Sequence, residues 1–171
     1  HVYELTGQID EELRTANEEL RMATLLDDSE KMAWGNYGLA DAYARAGQHA
    51  LACEHAEKAM DLLGQQDSII ARPIATATYG YALIQASRYE EAANILTEGV
   101  HYMERKLSVF DLSVRAYPLL IEGLLGPQWH DPKQCSCASI NWVRIRNRVA
   151  GRVFPNLRHY SLRTVSYTHL T

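Results

Sequence analysis

Two runs of apolar side chains at helical spacing lie between residues 30 and 64. Met32, Leu39, Ala40, Tyr43 and Ala46 form one stripe, which stops at Gly47. Leu51, Ala52, Ala56, Ala59, Met60 and Leu63 form the next, which stops at Gly64. Glycine enters the left-handed conformation that ends a helix at no steric cost, so each stop predicts a turn. Asp67 or Ser68 then predicts the cap of a further helix, because a short oxygen side chain accepts from the orphan backbone N–H groups of the first turn. The small residues Ala40, Ala52, Ala56 and Ala59 let two such helices approach closely. Leu39, Tyr43, Met60 and Leu63 fill the space between them.

The pattern recurs at a shift of 40 positions. Gly7-Gln8-Ile9 falls on Gly47-Gln48-His49 and then on Ser87-Arg88-Tyr89. Leu20 falls on Met60 and Val100, Leu39 on Tyr79 and Leu119, Ala42 on Ala82, and Ala46 on Ala86. The spacing predicts an all-α chain of about six helices, an antiparallel helix-pair solenoid. It begins with a helix over 9–26 and ends with one over 109–125, and the array is expected to be cut at both ends. Pro73 is expected in a first helical turn, where its missing N–H costs little. Pro118 is expected deeper in its helix, as a kink.

The segment Leu39-Ala40-x-x-Tyr43…Ala52-x-x-x-Ala56-x-x-Ala59 resembles the tetratricopeptide repeat, and Tyr79-Gly80-x-x-Leu83…Ala92-x-x-x-Leu96-x-x-Gly99 is the next copy. The resemblance covers about residues 7–126. It departs from the family pattern at the tryptophan position, held by Asn36 and Thr76, and at the terminal proline position, held by Gly64 and Glu104. The long period is similar to that of sensor arrays in LuxR-type, MalT-like ATPase regulators or beside class III nucleotide cyclases; HEAT and armadillo arrays also have periods near 40, and the Leu-Ala/Gly…Tyr/Leu…Ala pattern favours the tetratricopeptide repeat.

Charge divides the chain. Residues 1–126 carry 20 acidic and 10 basic side chains, while residues 127–171 carry only Asp131 against seven bases. The repeat is lost near Gly126-Pro127, and the second part holds two of the three Cys and two of the three Trp. Residues 127–171 therefore read as an irregular basic tail. Residues 127–164 read either as a native tail or as a change of reading frame, and a non-native end is expected over 165–171, where Val165-Ser166-Tyr167-Thr168-His169-Leu170-Thr171 resembles a translated sequencing adapter. No apolar run reaches the roughly 18 residues of a membrane span. With few cysteines and no visible secretory signal, a cytoplasmic setting is expected.

Titratable clusters are sparse. His130, Cys135 and Cys137 give at most three ligands at irregular spacing, short of a zinc signature. Cys53 sits at a packed repeat position and reads as a buried thiol. His55 and His101 read as surface or packing residues, and His49 and Tyr89 as packing at a turn. No catalytic, metal or cofactor site is expected.

A ligand groove lined by the first helix of each pair is what the resemblance implies. Its positions are Trp34, Tyr37, Asp41 and Arg45 on one helix, then Ile74, Ala77, Tyr81 and Gln85, then Tyr117 and Ile121. Trp34 and Tyr37 suit either the groove or the core. Rigid aromatic rings with a few charges suit recognition of a protein or peptide. The expected function is a non-catalytic protein- or peptide-binding scaffold. One alternative is a sensor or coupling array within a larger signalling polypeptide. Another, less favoured, is nucleic-acid binding through the basic tail.

Overall fold

A computed structural model describes residues 8–64, 68–106 and 115–126, together with Ile145. Six helices occupy them: α1 (Ile9–Leu25), α2 (Ser29–Arg45), α3 (His49–Gly64), α4 (Ala71–Gln85), α5 (Tyr89–Lys106) and α6 (Ala116–Leu125). The fold is all-α, as the periodicity predicts. The expected tail over 127–171 lies outside the described residues, apart from Ile145.

The helix endings hold the repeat in register. Gly47 follows α2 with φ of +76°, and the Gln48 N–H donates back to the Tyr43 carbonyl at 2.9 Å. At the same repeat position Ser87 has φ of +61°, and the Arg88 N–H donates to the Leu83 carbonyl at 2.8 Å. Asp27 repeats the geometry after α1, with φ of +51° and a bond of 3.0 Å from the Asp28 N–H to the Ala23 carbonyl. This six-to-one bond is the Schellman ending, which satisfies carbonyls that the helix itself leaves open. Asp28 then caps α2 by accepting from the Lys31 N–H at 3.0 Å. Ser68 accepts from the Ala71 N–H at 3.2 Å at the start of α4. That is one of the two capping residues expected there; Asp67 lies outside the described residues.

Each helix packs on the next, and α4 also packs on both α2 and α6. The helices thus form two layers. The first helices of successive pairs, α2, α4 and α6, stand side by side in one, while α1, α3 and α5 cover them from the other. This is the arrangement of a helix-pair solenoid.

Missing side chains set the closest approaches. A Cβ at Gly80 would run into the Leu96 side chain, and a Cβ at Gly99 into the Thr76 methyl, so α4 and α5 touch backbone to side chain at two points. In the α2–α3 pair the positions of Gly80 and Leu96 hold Ala40 and Ala56, both buried. The α1–α2 contact uses Gly35, whose Cβ would lie 2.8 Å from the Leu20 Cβ.

Leu39, Ala40, Ala52, Ala59, Leu83 and Ala92 are fully buried, while Tyr43 and Tyr79 are half-buried against the main core. Pro73 stands in the first turn of α4, as expected. Pro118 departs from expectation. The helix begins at Ala116, so Pro118 also lies in a first turn. An N–H there has no intrahelical acceptor, and the ring forces no kink.

Candidate functional site

The α2–α4–α6 layer gathers most of the charged and aromatic groups expected of a groove. Asp41 lies midway along α2 and is only 2 % exposed. It accepts from Arg45 Nε at 3.1 Å, one turn on, and from Arg115 Nη1 at 3.0 Å, which reaches it from just before α6. Arg115 also donates to the Thr78 hydroxyl of α4, and Arg45 forms a further ion pair with Glu12 of α1. Two carboxylates and two guanidinium groups therefore form one network across four helices. Among the described residues its charges balance, and its side chains are largely withdrawn from water.

Aromatic rings continue this surface. The Arg115 guanidinium lies 5.9 Å from the Tyr37 ring centroid, and Tyr37 meets Trp34 edge to face at 5.7 Å. Both rings are half-buried, and Trp34 also packs on the smaller core cluster of Ala33, Ala59 and Leu63. Beside the network a cleft of ≈ 180 Å³ opens, lined by Asp41, Arg45, Tyr81, Arg115, Pro118, Leu119 and Glu122. Gln85, one turn beyond Tyr81, is half-buried.

Several expected groove residues lie elsewhere. Tyr117 is 4 % exposed and belongs to the main core, so its ring is not on the surface. The 40-residue register equates it with Tyr37, but α6 starts only at Ala116, and the first turn of that helix is pressed into the core. Ile74, Ala77 and Ile121 are buried as well. Asp41 corrects the picture of an open ligand contact, since its carboxylate is held by two arginines. Arg115 escaped the sequence reading, and Glu12, which with Glu11 reads as a solvated helix face, is instead buried and paired with Arg45. Neither lies within a turn of Asp41 or Arg45 in the chain, and only their opposite charges offered a signal.

A second polar cluster links α2 and α3. Asn36 donates from Nδ2 to the Met32 carbonyl at 2.8 Å, which turns its Oδ1 toward His55 Nδ1, 2.9 Å away. The proton of the neutral ring therefore sits on Nδ1. The ring stacks on Tyr43 at 5.5 Å with 22° between planes. Burial holds the His55 pKa below its ordinary value, and Lys58 adds to the effect, while Glu54 opposes it. Cys53 is a free, buried thiol, pushed up by burial, with Arg88 acting against the shift.

Among the described residues no three His, Cys, Asp or Glu side chains gather as metal ligands, and His130, Cys135 and Cys137 lie outside them. No described helix is long and apolar enough to cross a membrane. Comparison of the chain with family models, curated proteins and solved structures gives no match.

Proposed function

We propose that the chain is a tetratricopeptide-like scaffold that binds a protein segment on its α2–α4–α6 layer, without catalysis. One observation carries this reading: the cleft beside Tyr81 and Leu119 opens next to a largely buried network of paired charges, with the Trp34–Tyr37 pair on the same layer. An aliphatic or aromatic side chain of a peptide fits between Tyr81 and Leu119. The pinned guanidinium groups and Glu122 give its backbone polar contacts at little entropic cost. Guanidinium groups do not titrate, so the network suits contact rather than proton transfer. A cytoplasmic setting accompanies this reading, in keeping with the free thiol of Cys53.

Selection of a displayed random-peptide library against the folded chain tests it. Enriched peptides should bind with micromolar affinity and lose about tenfold, or roughly 1.4 kcal/mol, on Tyr81→Ala, as an interface anchor does. Enrichment that is indifferent to Tyr81→Ala and Trp34→Ala sinks the proposal.

A further inference from the structure

A larger cavity, ≈ 560 Å³, opens between α3, α4 and α5. The contact of Thr76 with Gly99 lies in its floor, and Met60 of α3 and Ile95 of α5 also line it. The absent Cβ at Gly99 lets α5 settle on the Thr76 methyl. Arg72 lines this cavity and Tyr81 lines the other cleft. They stand nine residues apart on α4, about half a turn around the axis at roughly 100° per residue. The two openings therefore lie on opposite sides of the helix.

Arg72 gives the cavity its chemistry. Its guanidinium lies over the Tyr102 ring, 5.0 Å from the centroid, and Tyr102 is only 8 % exposed, so the cation is held at a buried aromatic face. A cation–ring contact uses none of the guanidinium N–H donors as hydrogen bonds to a side chain, which leaves them for a ligand. Glu98 and Glu104 line the same cavity, yet the Arg72 guanidinium forms no ion pair or side-chain hydrogen bond among the described residues, and only its backbone carbonyl accepts, from the Thr76 hydroxyl at 2.9 Å. The volume falls within the range of about 300–1,000 Å³ typical of small-molecule sites.

We propose that this cavity binds a small organic monocarboxylate with a planar apolar body. Arg72 grips the carboxylate with two parallel N–H donors, and the body lies on the Thr76–Gly99 floor. Arg105, also in the lining, adds attraction. Glu98 opposes a second negative charge on the ligand, which is why the class is a monoanion. This site does not depend on peptide binding at the other layer.

The whole chain titrated with 2-naphthoate, and with 2-naphthamide as its uncharged counterpart, provides the test. Calorimetry should show naphthoate binding about tenfold tighter or more, the worth of a charge-assisted hydrogen bond. Amide resonances of Thr76, Gly99 and Tyr102 should move, and those of Tyr81 and Gln85 should stay. Arg72→Gln should abolish the preference for the anion, and Glu98→Gln should tighten naphthoate severalfold. Equal binding of the two probes, or shifts centred on Tyr81, overturns the proposal. If Arg72→Gln fails to fold by circular dichroism, the resonance map of the unaltered chain decides alone. Tyr81→Ala should leave naphthoate binding unchanged, which keeps this result separate from the fate of the peptide site.

Discussion

Arg115 donates to Asp41 at 3.0 Å across 74 positions of sequence, and so fastens the start of α6 to the middle of α2 over the intervening α4. With Asp41 gone, two guanidinium groups would be left crowded and largely buried. Asp41→Ala should cost about 3–5 kcal/mol, the usual penalty for breaking a buried ion pair. Arg115→Met should cost less, because Arg45 still neutralises Asp41 and the methionine keeps the packing volume. Urea unfolding of the two variants gives the order directly. An Asp41→Ala chain as stable as the parent would mean that the network does not hold the layer together.

Gly80 and Leu96 should behave as one unit. An added side chain at Gly80 meets Leu96 at once. Gly80→Leu should overpack the α4–α5 pair by about 1–3 kcal/mol. Leu96→Ala alone should cost about 2–5 kcal/mol through the cavity it leaves. The double variant should cost clearly less than the sum, since each change relieves the other. Strict additivity in a double-mutant cycle would deny the contact.

Ser87 carries a left-handed backbone, with φ of +61°, at the position where the preceding unit has Gly47. A non-glycine residue there is strained by roughly 1 kcal/mol. Ser87→Gly should therefore raise stability by about 0.5–1 kcal/mol, and Gly47→Ser should lower it by a similar amount. Gly47 has open space around it, so the reverse change tests conformation alone. Opposite shifts of the two melting temperatures are the expected result.

His55 makes stability depend on mild acid. Its pKa in the folded chain lies below the ordinary 6.5, chiefly through burial. The unfolded chain therefore takes up the proton first as pH falls. The contribution of His55 is complete above about pH 6.5 and declines as pH drops below it toward the folded pKa. Melting temperatures at pH 7.5 and 5.5 should fall for the parent and fall less for His55→Phe, which keeps the stack on Tyr43. Equal losses in both would assign the acid sensitivity to other groups.

The helices and their turns were legible because their causes are local. The glycine at 47 and the apolar stripes of α2 and α3 each act within a few residues, and the 40-residue shift carries them to Ser87 and the α4–α5 pair. The proximity of Asp41 and Arg45 was legible for the same reason, being one helical turn. Their burial was not. It depends on Arg115 and Glu12, which reach the network from α6 and α1 and leave no periodic trace. Tyr117 was misplaced because register predicts an equivalent position and not an equivalent helix start. The first turn of α6 faces the core where the middle of α2 faces outward. The cavity beside Arg72 arises from Gly99 and Thr76, neither of which is distinctive alone.

The exchange of volume between neighbouring units bears on how such a chain can be shuffled. One pair holds Ala40 and Ala56 where the next holds Gly80 and Leu96. A chimera that joined the first helix of one unit to the second helix of the other would set alanine against leucine in one combination and glycine against alanine in the other. The first is overfilled and the second hollow. Recombination within this array is thus tolerated at the junctions between helix pairs and penalised inside them, so that the inheritable module is the pair and not the single helix.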